Sequence, residues 1–139
     1  MGSVNPNPDQ IAAMLASAQE AGAIQMINLL RFRARADYPA DHACAREELT
    51  GEAAYQRYMV GTAPHLAAVG ARVLWAGSPN LVLIGPTEER WDLAFIVEYP
   101  GVGAMLKMLS NSDYLQVAAH RTAALEDSRL IRCAPRAIN

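Results

Sequence analysis

Residues 91–99 (WDLAFIVEY) constrain the fold of this chain more than any other segment, because their side chains are almost continuously apolar. In a strand, Phe95 and Val97 lie on one face and Ala94 and Ile96 on the other. A strand with two apolar faces is stable only where both faces are buried. The segment is therefore predicted to be a central strand of a sheet that is covered on both sides.

Helical and strand periods predict the remaining elements, and turn residues separate them. The predicted helices are residues 8–21, 52–69, 102–109 and 113–126, and the predicted strands are residues 24–33, 71–77, 81–84, 91–99 and 128–133. Pro64 lies inside the second helix and is expected to kink or break it. Residues 34–51 have no period, which fits a solvated loop, a lid or binding loop, or a disordered excursion.

Without the first helix and the strand at residues 81–84, the order is β-α-β-β-α-β, the ferredoxin-like pattern of an α+β fold. The chain is then a single domain, residues 1–139, with a core over about residues 24–133 and an extra N-terminal helix and hairpin. Helices on one side of such a sheet leave the other side bare. We therefore expect a homodimer in which a second copy covers that side and the two sheets form one α+β barrel.

Three stretches, GARVLWAG, WDLAFIVEYP and SDYLQVAAHRTAALEDSRLI, resemble the dimeric α+β barrel superfamily, and in particular its branch named domain of unknown function 1330. The stretches MINLLRFR and EAAYQRYM resemble the front half of the same pattern. The resemblance covers about residues 24–133 and implies a small homodimer. The superfamily includes cofactor-free monooxygenases, isomerases, lyases, haem-degrading enzymes and ligand-sensing modules, so the resemblance implies a fold but no single reaction.

Composition excludes several classes of function. The net charge is −2, and the twelve basic side chains include one lysine, Lys107, and form no basic stripe. Neither nucleic acid nor an anionic membrane surface is therefore an expected partner. No apolar run approaches the ~20 residues that cross a bilayer, and residues 1–10 lack a signal-peptide pattern. Cys44 and Cys133 are far apart, which favours free thiols. These features predict a soluble, cytoplasmic protein.

No motif for a metal or another cofactor is present in the sequence. His42 and Cys44 stand two residues apart, but no second pair of ligands follows at a usable spacing. A glycine-rich phosphate loop and a GxSxG nucleophile motif are also absent. We therefore expect neither a metal site nor a bound cofactor.

Polar side chains at positions that should be buried are the first candidates for a binding site. Asn28 interrupts an apolar strand face, where an unpaired amide would cost about 1–3 kcal/mol. Its partner is either a protein group such as Tyr58 or a ligand or water in a pocket. Tyr58 and His65 lie two turns apart on one helix face, and Tyr55 belongs to the same helix. The alternative is that Tyr58 packs at the rim of the core and His65 is solvated.

The last helix supplies the groups best suited to proton transfer and to acid binding. His120 shares a side of this helix with Asp113, which would raise the proton affinity of the imidazole and fix its tautomer. Arg121 either clamps a ligand carboxylate or pairs with Asp127 or Glu98 and locks the helix to the sheet.

These candidates indicate a small-molecule-binding protein. The leading hypothesis is a cofactor-independent enzyme that acts on a compact organic acid or aromatic metabolite. His120, or else His65, would transfer a proton, and Arg121 would hold an acidic group. The ligand would also contact Asn28, Tyr55, Tyr58 and Trp75. Trp75 and Trp91 are candidates for the aromatic walls of the pocket, and ordinary core packing is the alternative role of both. A non-catalytic dimeric module for ligand sensing, or an accessory subunit, is the alternative function. Haem binding, a third interpretation, needs His65 or His120 as the axial ligand.

Overall fold

Alternating apolar side chains build the two central strands of the fold, which a computed structural model describes over residues 2–138. Met26, Asn28 and Leu30 are buried at every second position of the first strand. The elements in chain order are α1 (Pro8–Ala16), β1 (Ile24–Phe32), α2 (Gly51–Ala68), β2 (Arg72–Gly77), β3 (Leu93–Tyr99), α3 (Val102–Leu109), α4 (Ser112–Ala124) and β4 (Leu125–Cys133).

The strands form one antiparallel sheet in the order β2-β3-β1-β4. β1 and β3 lie at its centre, with Ile24 opposite Tyr99 and Leu30 opposite Leu93. This is the predicted ferredoxin-like α+β fold, and residues 91–99 contain the central strand that their composition predicts. No helix within residues 2–138 is both long enough and apolar enough to span a membrane.

The core lies between one face of the sheet and the helices. Its larger cluster joins β1 and β3 to α3 and α4, and a smaller cluster at the other end of the sheet includes Leu30 and Leu125, both fully buried. α1 packs on this side through Met14, and the side chain of Asn7 caps its first turn. Each polar N-cap fixes where a helix begins, because it satisfies backbone N–H groups that have no partner within the helix.

Several sequence predictions about individual elements are wrong, including the end of the last helix at residue 126 and the start of the last strand at residue 128, which lie at Ala124 and Leu125 instead. Residues 81–84 form no strand, so the predicted hairpin is a long connection between β2 and β3. α2 continues through Pro64, so the break that the sequence allowed does not occur, although proline cannot donate the backbone hydrogen bond of that turn. α1 ends at Ala16 rather than at Ala21. At this end the hydroxyl of Ser17 donates a hydrogen bond to the carbonyl oxygen of Met14.

The outer face of the sheet, opposite the helices, carries a row of apolar side chains that crosses all four strands. The cross-strand register places Trp75 opposite Ile96, Ile96 opposite Ile27, and Ile27 opposite Ile131. Trp75 is 55% exposed and Ile131 is 49% exposed, although both are large and apolar. A single chain therefore leaves this row in contact with water.

Candidate functional site

The segment between β1 and α2, residues 34–50, is a loop whose two ends are tied together. At its neck the amide of Gly51 donates to the carbonyl of Arg33 (3.0 Å), and the amide of Ala36 donates to the carbonyl of Leu49 (2.9 Å). The amide of Asp37 bonds the carbonyl of Ala123 at the end of α4 (2.9 Å). A closed neck is typical of Ω-loops, which are often functional. The 34–50 loop is therefore an ordered part of the fold that lies against α4.

Tyr38 of this loop meets His120 of α4 in the shortest side-chain bond of the site. The phenol oxygen lies 2.6 Å from Nδ1 of the imidazole. Burial raises the pKa of Tyr38, so its hydroxyl stays protonated at neutral pH. We therefore assign the phenol as the donor to Nδ1, which leaves the proton of the neutral imidazole on Nε2.

Burial also lowers the pKa of His120 below its usual value, and the electrostatic influence of His42 and of the Arg57 guanidinium nearby acts in the same direction. The opposing charge of Glu47 is a weaker influence. His120 is therefore neutral at physiological pH, which is the form that a general base requires.

A second imidazole completes a three-ring cluster. His42 stacks on Tyr38 with ring centroids 4.7 Å apart, and it meets His120 edge-on at 5.6 Å. Nδ1 of His42 accepts the backbone N–H of Cys44 (3.0 Å), so its ring proton is also on Nε2 when the ring is neutral. Both imidazoles thus have Nδ1 occupied and carry a proton on Nε2.

An ion pair on the exposed side supports the cluster. Arg57 of α2 donates two hydrogen bonds to the carboxylate of Glu47 (2.8 and 2.9 Å) and a third to the thiol sulfur of Cys44 (3.2 Å). The guanidinium lowers the pKa of Glu47 to about 2, while burial raises the pKa of Cys44. Cys44 therefore stays a protonated thiol, and the ion pair fixes the loop against α2. Within residues 2–138, no three His, Cys, Asp or Glu side chains are arranged to hold a metal ion.

An open groove of about 380 Å³ lies beside this cluster, between the 34–50 loop and the end of α4. Its walls are mostly apolar, with a carboxylate, a phenol and a hydroxyl as the polar groups. The lining residues are Asp37, Tyr38, Pro39, Ala119, Thr122 and Ala123. Tyr38 belongs to both the groove and the three-ring cluster, so a small molecule in the groove would lie next to the Tyr38–His120 pair.

The two candidates on α4 have different surroundings in the structure. His120 belongs to the cluster just described, where its hydrogen-bond partner is Tyr38 and not Asp113 as predicted. Arg121 donates to the carbonyl oxygen of Val4 (2.7 Å) and lies 3.5 Å from the hydroxyl of Ser128. Arg121 thus ties the N-terminal segment to the start of β4. This is a structural role, but its partners are not the predicted Asp127 or Glu98.

The candidates on β1 and α2 lie in the core. The amide nitrogen of Asn28 donates to the carbonyl of Met26 (3.2 Å), and the hydroxyl of Tyr58 lies 2.8 Å from that of Tyr114. Tyr55 is 2% exposed, and burial raises its pKa far above the usual value. Among residues 2–138, the hydroxyl of Thr62 is buried without a bonding partner. These groups form a polar, aromatic interior rather than the wall of the groove.

The remaining candidates lie outside the groove and outside the three-ring cluster. The ring of His65 meets that of Tyr114 edge-on at 6.0 Å. Trp75 lies on the outer sheet face, on the opposite side of the sheet from Asn28. Trp91 packs under the guanidinium of Arg129, 5.3 Å from its ring centroid. The structure therefore does not bring the predicted site residues together around one cavity.

The sequence did not indicate Tyr38 or His42 as site residues, although the structure places both beside His120. Their segment has no period and no motif, so nothing in it shows which side chains turn inward. The one available signal was the length of a loop that mixes histidine, tyrosine and cysteine, since long ordered loops in small domains are often functional.

Fold and site together define a ferredoxin-like α+β protein with an ordered loop over its helices. A family profile, described as domain of unknown function (DUF1330), matches residues 42–132. The chain belongs to this family, as the sequence resemblance predicts. The match begins at His42 and so includes part of the 34–50 loop. No protein of curated function matches the chain.

Solved structures share the fold of this chain. The RPA0582 protein of unknown function from Rhodopseudomonas palustris is 40% identical and has a TM-score of 0.90, with 99% of this chain and 100% of that chain covered. A dimeric protein of unknown function with a ferredoxin-like fold from Bacteroides fragilis is 12% identical and has a TM-score of 0.50, with 81% and 96% covered. The second likeness concerns the fold alone.

Proposed function

We propose that this protein binds a compact aromatic or carbonyl-containing metabolite in the groove beside Tyr38 and exchanges a proton with it through His120, without a cofactor. The observation that carries the proposal is the 2.6 Å bond between Tyr38 and Nδ1 of a partly buried His120. A partly buried phenol–imidazole pair next to an open groove can act as a general acid–base device, whereas core packing alone requires no such pair.

The pair can take up a proton and return it. In the tautomer with the ring proton on Nε2, Tyr38 donates to Nδ1 and the imidazole donates a hydrogen bond from Nε2–H to a ligand oxygen. In the tautomer with the ring proton on Nδ1, the oxygen of Tyr38 accepts that proton's hydrogen bond, and Nε2 is the basic nitrogen that takes a proton from the ligand and later gives it back. The resulting imidazolium keeps its Nδ1–H bond to the phenol oxygen. Tyr38 thus positions the ring in both protonation states.

The charges around the groove favour a neutral ligand over an organic acid. Asp37 contributes a carboxylate to the lining, which repels an anion. Arg121, the predicted clamp for an acid, has donors directed to Val4 and Ser128 instead. The apolar walls formed by Pro39, Ala119 and Ala123 suit a small flat molecule.

The test uses a panel of small neutral phenols and cyclic ketones, matched with carboxylates of the same size, and follows binding by NMR. We expect His120→Asn to weaken binding of the best neutral compound about tenfold or more. His65→Asn is the matched control, because His65 packs on Tyr114 and neither lines the groove nor bonds Tyr38, and it should leave binding unchanged. Equal binding by His120→Asn and the wild type would contradict the proposal.

Hydrogen–deuterium exchange of a bound ketone separates an enzyme from a sensing or accessory module. Exchange catalysed by the wild type and lost in His120→Asn supports proton transfer. The rate should fall as the pH drops through the lowered pKa of His120, because protonation removes the base. Binding without exchange would favour the non-catalytic module.

We also propose that the protein is a homodimer joined through the outer face of the sheet. The support is the apolar row from Trp75 through Ile96 and Ile27 to Ile131, which one chain leaves partly exposed. Sedimentation equilibrium at micromolar concentration should give twice the mass of one chain. Trp75→Glu should shift the particle to a single chain, because a carboxylate in an apolar interface has no partner. A folded wild-type monomer at this concentration would contradict the dimer.

A further inference from the structure

The connection between β2 and β3, residues 78–92, is an arm with an apolar surface turned to water. Leu81 is 76% exposed, Leu83 is 84% exposed and Ile84 is 94% exposed. Single exposed leucines are common on protein surfaces, but three within four residues form a patch that marks an interaction site.

The base of the arm is fixed to the sheet. The amide of Asp92 donates to the carbonyl of Leu30 (2.7 Å), and its carboxylate accepts the amide of Phe32 (2.8 Å). Within the arm, the amide of Glu89 donates to the carbonyl of Pro86 (3.1 Å), which forms a turn after Gly85. The base of the arm is therefore anchored to the sheet, while the apolar patch remains exposed.

The sequence of the patch has strand character that one chain does not satisfy. Residues 81–84 read LVLI, with two β-branched side chains, and their composition predicts a strand. Among residues 2–138, none pairs with this segment in a sheet. A strand-prone segment with free backbone donors and acceptors readily adds to the edge of another sheet.

A second copy of the chain supplies such an edge. β4 is an edge strand, and Leu130 and Ile131, whose side chains point to opposite faces, are 45% and 49% exposed. On the other edge, β2 exposes Val73, Leu74 and Trp75 close to the root of the arm. These five side chains and the three of the patch make eight in all, and together they expose an area on the order of 800 Å² per chain, which is what each partner buries in a stable interface.

We propose that the arm is an intersubunit clasp, in which residues 81–84 of one chain pack along β4 of a second copy of this chain. A two-fold axis makes the contact twice, so each dimer closes and no further chain adds. Burial of the three apolar side chains accounts for their exposure in one chain. The clasp rests on the proposed homodimer and adds to it a segment outside the sheet face.

The experiment compares Leu83→Asp with Val60→Asp in the full chain. Val60 lies on α2, far from the arm in sequence, and is 75% exposed, so it matches Leu83 in exposure and in the charge introduced. We expect Leu83→Asp to raise the dimer dissociation constant about tenfold or more in sedimentation, and Val60→Asp to leave it unchanged. Circular dichroism of both variants checks that each chain is folded.

Hydrogen exchange of the wild type gives a readout that needs no substitution. The amides of residues 81–84 and 129–132 should be protected at high protein concentration and lose protection together on dilution. A wild-type dimer with unprotected residues 81–84 and an unaffected Leu83→Asp overturns the clasp but leaves the sheet-face dimer standing. A wild type that stays a monomer overturns both proposals.

Discussion

Replacing Gly51 by alanine is expected to destabilise the protein by about 3 kcal/mol or more. Gly51 is buried at the start of α2, where three segments meet. A Cβ atom there would clash with the backbone carbonyl oxygen of Arg33 and would lie 2.7 Å from the carbonyl oxygen of Ala124, which is too close for either neighbour. Neither carbonyl can withdraw cheaply, because each belongs to a backbone joined to β1 or α4 by hydrogen bonds.

Gly103→Ala is the matched control for this substitution. Gly103 is exposed on α3, and the nearest heavy atom to its added Cβ would be the carbonyl oxygen of Ala18 at 3.9 Å. Because alanine favours a helix over glycine, this variant should gain up to about 1 kcal/mol. Urea unfolding at one fixed protein concentration measures both variants. Equal stability of Gly51→Ala and the wild type would show that α2 can shift at its first residue.

The same position links the stability of the fold to the proposed site. The bond from Gly51 to Arg33 closes the neck of the 34–50 loop, and the next bond along the neck joins Ala36 to Leu49. Displacement of the neck would move Tyr38 relative to His120, whose bond is 2.6 Å in the intact protein. Gly51→Ala should therefore weaken ligand binding even in the fraction of the protein that stays folded.

The fold could be predicted because its signals are local and repeat along the chain. Alternation identifies β1, and the apolar character of β3 on both faces places β3 at the centre of the sheet. Order along the chain then leaves few ways to connect two helices and four strands. The first residues of β4 could not be predicted, because α4 passes directly into the strand at Leu125 without a turn residue.

Leu81–Ile84 shows why a correct local preference can give a wrong element. A strand requires a neighbour, and the nearest available edge in one chain is not reached by the arm. The sequence records the preference of the segment but not the presence of a partner strand. The clasp proposed above would reconcile the two, since the segment would then become a strand only in the dimer.

The site was harder to predict, because its parts are brought together by the tertiary fold. Tyr38 and His120 are 82 residues apart, and no periodic pattern connects a loop to a helix at that distance. Helical spacing instead pointed to Asp113 as the partner of His120. Trp75 was placed with Asn28 because both faces of the sheet are apolar, so hydrophobicity alone could not assign the ring to a face.

Leu30→Ala is expected to cost about 2–5 kcal/mol, because the substitution removes a fully buried side chain from the centre of the sheet. Leu30 packs in the smaller core cluster with Tyr55, Ala124 and Leu125. A cavity there would lie under the end of α4 to which the 34–50 loop is bonded. The loss should appear as a lower urea midpoint with little change in the slope.

Leu115→Ala is the control, because Leu115 is 55% exposed on α4 and loses little buried area on truncation. Its stability should stay within about 0.5 kcal/mol of the wild type. A loss of similar size in the two variants would mean that α4 is covered on its outer side by another chain. In that case the helix layer, as well as the sheet, would take part in assembly, and a dimer joined by the sheet face alone would be insufficient.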